Sequence, residues 1–188
     1  MKNLRVILSH DWVELGKVTV ICAVDENHLQ LVYSDICRAV VNSGDSYHTC
    51  MHSDVNNRIE SFVQWEDRVK KCVTDYEHKE IFIPYCPEIF LHPKYQVNLI
   101  RIILETIKDM DQNLVVLTQS PYILEAVEVY SRKFGFDDFK AIMIEDDEDD
   151  VYVASDCTNN IDLIYKTFSE PFQLLEDVRA ECWEKSND

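Results

Sequence analysis

The chain has 188 residues with 46% hydrophobic and 11% aromatic content, which predicts a single folded domain spanning residues 1–188 rather than a disordered chain. Its formal net charge is −17, from 35 acidic and 18 basic residues, so direct binding to nucleic acid is not expected. Seven irregularly spaced cysteines, and no apolar run near the roughly 20 residues of a membrane helix, predict a soluble, reduced, cytoplasmic protein.

The first third of the chain predicts two strands and a helix. Residues 4–8 and 17–22 are apolar runs typical of strands, joined through residues 9–16 with Gly16 as a turn residue. Apolar residues then recur at helical spacing between Leu29 and Val40. The polar residues 25–27 at the start of this helix are typical of an N-cap and of a favourable helix dipole interaction.

A polar segment after this helix carries candidate metal ligands. His48, Cys50 and His52, together with Cys72 and His78, are residue types that bind zinc. The His-x-Cys-x-His spacing is not one that zinc sites commonly use, so no metal is predicted. Equimolar zinc in the purified protein would contradict this expectation.

The middle of the chain alternates helices with apolar strands. A helix capped by Asp54 is predicted to run to about residue 76, followed by a strand at residues 81–83 and a helix opening at Pro93. A second strand at residues 114–117 precedes a helix that opens with Ser120 as N-cap and Pro121 at its first position. This alternation predicts an α/β fold with a mainly parallel central sheet covered on both faces.

The last third predicts an antiparallel hairpin on the sheet edge, from residues 139–145 and 151–155, and two helices at about residues 160–168 and 171–183. The hairpin turn holds six consecutive carboxylates, which are typical of a solvated loop. As alternatives, this loop contacts a basic protein surface or binds calcium weakly. Its residues are Glu145, Asp146, Asp147, Glu148, Asp149 and Asp150. The apolar face of the last helix consists of Phe172, Leu175, Val178 and Cys182.

Two short motifs in the middle of the chain carry a family resemblance. The first strand leads into Tyr-Cys-Pro-Glu (85–88) and Leu-His-Pro (91–93), and the second leads into Thr-Gln-Ser-Pro (118–121). This order resembles ABC-type ATPases of the SMC, RecF and overcoming-lysogenization-defect group, whose strands end in Asp-Glu-Pro-Glu and Thr-His-Ser-Pro. The resemblance implies a truncated, three-layer, P-loop NTPase-like (ABC ATPase-type) domain.

The resemblance also implies that the residues acting on nucleotide are replaced. Tyr85 stands at the metal-binding Asp, Cys86 at the catalytic Glu and Gln119 at the switch His. On the phosphate-loop pattern, Leu29 stands at the lysine and Gln30 at the hydroxyl residue, and no glycine cluster is present. No Leu-Ser-x-Gly signature is found either. The degenerate nucleotide site then comprises Asp25, Glu26, Asn27, His28, Leu29, Gln30, Tyr85, Cys86, Glu88 and Gln119, with Ala23 at the first glycine position.

These observations favour a catalytically inactive pseudo-ATPase without catalytic residues or cofactors. The expected role is a protein-binding regulatory or inhibitory subunit, in DNA repair or in phage–host defence. Its partner would be an ATPase-like subunit, a basic DNA-binding protein or a second copy of the chain. One alternative is an acidic DNA mimic that acts through residues 145–150. Another is an unconventional nucleotide-binding ATPase that holds magnesium with Glu88, Asp25 and Glu26.

Overall fold

The structure, a computed structural model, describes residues 4–8, 11–45, 47–50, 62–74, 81–89, 91–146 and 152–185. The strands in these ranges are β1 (Leu4–Leu8), β2 (Asp11–Leu15), β3 (Val18–Ala23), β4 (Tyr47–Cys50), β5 (Ile81–Pro84), β6 (Asn113–Thr118), β7 (Phe139–Asp146) and β8 (Tyr152–Asp156). The helices are α1 (Glu26–Ser43), α2 (Phe62–Thr74), α3 (Pro93–Ile107), α4 (Pro121–Phe134) and α5 (Asp162–Lys185).

The centre of the fold is a six-stranded sheet in the order β4-β5-β6-β3-β7-β8. Neighbouring strands from β4 to β7 are parallel, and β8 runs antiparallel to β7 at the edge. The predicted mainly parallel sheet and the predicted antiparallel edge hairpin are therefore confirmed. The predicted α/β class is confirmed with them.

Helices cover both faces of the sheet. Because successive side chains of a strand point to opposite faces, each buried strand contributes to two apolar clusters. In β3, Val18, Val20 and Cys22 belong to the apolar cluster shared with α2, α3, α4 and the first half of α5. Ile21 and Ala23 belong to the cluster shared with α1 on the other face. Every residue of β3 is buried, as expected of a central parallel strand.

The segment before β3 differs from the prediction. Residues 9–16 were expected to be a connection, but Asp11–Leu15 forms β2, which pairs antiparallel with β1 in a separate two-stranded sheet. Trp12, Val13 and Leu15 favour an extended backbone, and the hairpin packs next to α1. The two N-terminal strands of the prediction are therefore not neighbours in one sheet.

Gly16 serves a close approach of two backbone segments. A Cβ at this position would lie 2.6 Å from the carbonyl oxygen of Asp138 and 2.8 Å from its Oδ1. The backbone of Lys17 donates to Asp138 Oδ2 at 3.0 Å, and that of Val18 donates to the Asp138 carbonyl at 3.1 Å. The missing side chain thus lets the start of β3 dock beside the start of β7.

Three helices start at the capping residues that the sequence predicts. Asp25 Oδ1 accepts a hydrogen bond from the Asn27 backbone at 2.7 Å. His92 is the N-cap of α3, directly before Pro93, and Ser120 is the N-cap of α4. The predicted Asp54 cap lies outside the described residues, where α2 begins at Phe62.

The C-terminal part forms one helix, α5, where two were predicted. Pro171 lies inside it: a proline within a helix removes one backbone donor and usually kinks or ends the helix, but α5 continues through this position. The predicted apolar face of the last segment is not buried, since every residue from 169 to 183 is exposed. Among the helices that the structure describes, none is long and apolar enough to cross a bilayer.

Candidate functional site

The predicted site residues come from three segments that meet at one edge of the sheet, where β3, β5 and β6 end. Gln119, after β6, connects the other two. Its backbone N–H donates to Glu88 Oε1 at 2.7 Å, and its side-chain Nε2 donates to the carbonyl oxygen of Val24 at 2.6 Å. Gln119 therefore links the loop after β3 to the turn after β5.

The segment that the resemblance aligns with a phosphate loop has the structure of an ordinary helix start. Asp25 caps α1, and Glu26 and Asn27 are exposed in its first turn. Leu29, at the lysine position, is completely buried in the core beneath α1. Gln30, at the hydroxyl position, points to the surface. A buried leucine cannot supply the positive charge that the outer phosphates of a nucleotide need.

The turn after β5 carries no ionised group at Tyr85 and Cys86, where the ATPases that the sequence resembles have carboxylates. Burial, with a further contribution from the carboxylate of Glu88, raises the pKa of the Cys86 thiol to about 12. The centroid of the Tyr85 ring lies 5.1 Å from the centroid of the Tyr33 ring. Burial also raises the pKa of Tyr85 to about 12. Both groups are thus neutral at pH 7, and neither is a ligand for Mg²⁺ or a general base at that pH.

The backbone at Cys86 holds this turn in a conformation that few residues adopt. Cys86 has a φ of +41°, and its N–H donates to the carbonyl of Leu117 in β6 at 2.9 Å. A left-handed conformation costs a non-glycine residue about 1 to 2 kcal/mol. The hydrogen bond and the burial of the side chain offset this cost and fix the turn beside β6.

Glu88, the one carboxylate in the segment Tyr85–Glu88, is bound by its own chain. Its Oε1 accepts from Gln119, whereas its Oε2 is buried without a hydrogen-bond partner among the described residues. Burial raises the pKa of this carboxyl, and the hydrogen bond from the Gln119 backbone opposes the shift. No described cation lies against it, so the folded protein favours its protonated form more than the unfolded chain does.

An open cleft of about 720 Å³ lies beside these loops, at the ends of β3 and β7. Five of its lining residues carry carboxylates: Asp25, Glu26, Glu145, Asp146 and Glu170. His28 also faces the cleft, where its Nδ1 lies 3.0 Å from Asp146 Oδ1. This acidic cleft repels phosphate groups and attracts cationic ones.

The cleft joins residues that were predicted separately with some that were not predicted at all. Glu145 and Asp146 from the acidic hairpin lie beside Asp25 and Glu26 because β7 is the parallel neighbour of β3. Residues 147–150 of the predicted interaction loop lie outside the described part of the chain. Thr167 and Glu170 of α5 complete the lining. As polar residues on an exposed helix, they carry no signal in the sequence.

The side chains of the candidate zinc ligands lie outside the described part of the structure. His48 and Cys50 lie on β4 and Cys72 on α2, but their side chains are outside the described set, as are His52 and His78 entirely. Across the side chains that are described, no group of three or more His, Cys, Asp or Glu is arranged to hold a metal ion.

A first prediction concerns the pH dependence of Glu88. Because its folded-state pKa is raised, the stability that the carboxyl contributes is fully present below its unfolded pKa and is lost as the pH rises through its folded pKa. Wild-type protein is therefore expected to lose stability relative to Glu88→Gln as the pH rises from the ordinary glutamate pKa of 4.5 through the raised pKa of the folded state. Thermal unfolding of both proteins over this range measures the difference, and a difference independent of pH would contradict the prediction.

Comparison with known proteins adds no assignment: the chain matches no protein-family model, and no curated protein is significantly similar to it.

Proposed function

We propose that the protein is a catalytically inactive, ATPase-like subunit of the P-loop NTPase type that acts by binding another protein. The observation that carries this proposal is the double contact of Gln119 with Glu88 and with the carbonyl of Val24. These bonds join the three segments that would have to contact a nucleotide in the resembled ATPases. The backbone N–H and the side-chain amide of Gln119 are therefore already engaged within the chain.

The charges around the site support the loss of nucleotide chemistry. A nucleoside triphosphate at the end of β3 would lie against Asp25 and Glu26. Among the described lining residues, His28 is the one basic side chain, and it is paired with Asp146. With Leu29 buried where a lysine is needed, phosphate binding has no electrostatic support.

The regulatory role is proposed from what remains after catalysis is removed. A chain with a net charge of −17 and a carboxylate-lined cleft is suited to a basic protein surface. The resemblance to SMC- and RecF-like ATPases suggests a partner in DNA repair or in phage–host defence, as an inhibitor or as a regulatory subunit.

A thermal unfolding scan with and without millimolar Mg-ATP tests the inactive site. A ligand at 100 times its dissociation constant would stabilise the protein by about 2.7 kcal/mol, or roughly 5 to 10 °C at this chain length. We expect a shift below about 1 °C, within the scatter of such scans. A clear shift would contradict the proposal and favour a nucleotide-binding ATPase. In that case, loss of measured hydrolysis in Glu88→Gln would identify Glu88 as part of it.

A further inference from the structure

The two halves of α5 differ in burial. Apolar side chains of the first half pack against the core, whereas those of the second half, residues 171–185, are exposed. Ile164 is completely buried, and Tyr165 and Phe168 pack against the same core. Beyond Pro171 the helix continues, but its large apolar side chains are between 56 and 69% exposed. We refer to four of them as the outer stripe: Phe172, Leu174, Leu175 and Val178.

Most helical stability in proteins comes from packing of an apolar face, and the second half of α5 buries none of its large apolar side chains. Isolated helices of about 12 to 15 residues are marginal in water even with favourable sequences. The outer half of α5 contains two local polar pairs, Gln173 with Asp177 and Arg179 with Glu176. Such pairs contribute only about 0.2 to 0.5 kcal/mol each. An amphipathic helix with an exposed apolar stripe is instead typical of a surface that packs against another helix.

The charge next to the outer stripe indicates what kind of surface would cover it. Glu170, one residue before Pro171, lines the acidic cleft together with Glu145 and Asp146. Leu174, one helical turn after Glu170, lies on the same side of α5, so the outer stripe begins next to the cleft. A partner that covers both must present apolar side chains to the helix and cationic side chains to the cleft. A second copy of this chain, with its net charge of −17, would bring acidic residues against acidic residues.

We propose that the outer stripe of α5 and the adjacent acidic cleft form one docking surface for a basic amphipathic helix of a protein partner. This deepens the proposed function, on which it rests, by assigning the protein-binding role to a specific surface. The apolar contacts provide most of the affinity, and the carboxylates select a cationic partner and speed its association.

Two synthetic helical peptides of about 18 residues serve as probes. Both have leucines at helical spacing, and their polar face is lysine in one and glutamate in the other. Fluorescence anisotropy with the full-length protein should show binding of the Leu/Lys peptide, weakened by added salt. The Leu/Glu peptide should bind at least about tenfold more weakly.

Matched variants assign the binding to the surface. Leu175→Asp with Val178→Asp should weaken Leu/Lys binding at least about tenfold, because two apolar contacts are lost. Leu31→Asp with Val129→Asp places the same substitutions on exposed positions of α1 and α4 and should leave binding unchanged. Glu145→Gln with Glu170→Gln should reduce both the affinity and its dependence on salt. Circular dichroism confirms that each variant is folded.

Each contrary result overturns the docking surface in a distinct way. Equal binding of both peptides would remove the charge selection, and binding unaffected by Leu175→Asp with Val178→Asp would remove the stripe. No binding of the Leu/Lys peptide would remove the surface altogether. A dimer in sedimentation that these two substitutions dissociate would show that a second copy covers the stripe. Stabilisation by Mg-ATP would contradict the inactive site without affecting any of these measurements.

Discussion

Replacing Leu29 by lysine is expected to lower the free energy of unfolding by about 3 to 5 kcal/mol. This substitution restores the residue type that the phosphate-loop pattern requires, but in this fold position 29 is completely buried between α1 and the sheet. A lysine there must either keep its charge without a partner or give up its proton, and both cost free energy. Thermal unfolding should show a midpoint lowered by roughly 6 to 20 °C.

The neighbouring position provides the matched control. Gln30→Lys adds the same charge to the same helix, but Gln30 is exposed. Its effect should stay within about 0.5 kcal/mol. Nucleotide binding by Leu29→Lys without loss of stability would mean that α1 can turn this side chain outward. That result would contradict both the expected destabilisation and the proposed lack of nucleotide binding.

Replacing Gly16 by alanine is expected to lower the free energy of unfolding by about 3 kcal/mol. The added Cβ would lie 2.6 Å from the carbonyl oxygen of Asp138, closer than such atoms can approach. This oxygen cannot move freely, because it accepts the backbone hydrogen bond of Val18 that aligns β3 with β7. A midpoint lowered by roughly 5 to 10 °C in thermal unfolding is the expected result.

Gly44→Ala separates a steric effect from the loss of glycine as such. Gly44 ends α1 with a φ of +80°, but no atom lies within 4 Å of the position of its Cβ. Only the cost of a left-handed conformation applies there, about 1 kcal/mol. If the two substitutions prove equally destabilising, the close contact with Asp138 does not explain the loss of stability in Gly16→Ala.

Most of the sheet could be predicted because its signal is local, but the edge strand β4 (Tyr47–Cys50) was missed, because its polar segment resembles a loop. The apolar strand of β6 is followed by Ser120 and Pro121 at the start of a helix, and both features depend only on neighbouring residues. The edge hairpin could be predicted for the same reason. The assignment of β2 was wrong because Asp11–Leu15 pairs with β1 and not with the main sheet, and a five-residue strand that is partly polar resembles a connection.

The end of the chain shows the limit of periodicity as a signal. The apolar residues of α5 have the spacing of a buried face along the whole helix, and only the first half is buried. The pattern records which side of a helix is apolar, but not whether anything of the same chain lies against it. Pro171 was a natural place to divide the segment into two helices, since proline usually starts one.

The contacts within the candidate site could not be predicted from the sequence. The residues Tyr85, Cys86 and Gln119 stand out in the sequence only through the motifs that contain them. The bond from the Gln119 side chain to Val24 is not visible there, because it joins residues that come together only when β6 lies beside β3. The burial of Leu29 follows from the helical pattern, which places it on the apolar side of α1.

The strand order has a consequence for how the chain acquires its structure during synthesis. The first strand of the main sheet, β3, has β6 and β7 as its neighbours, whose paired residues are made roughly one hundred residues later. Until then, β3 has no strand to pair with, and its apolar side chains have no sheet to join. Closing such long loops before any pairing is gained slows folding and leaves apolar segments exposed to aggregation. The nascent chain is therefore most vulnerable between the emergence of α1 and that of β6.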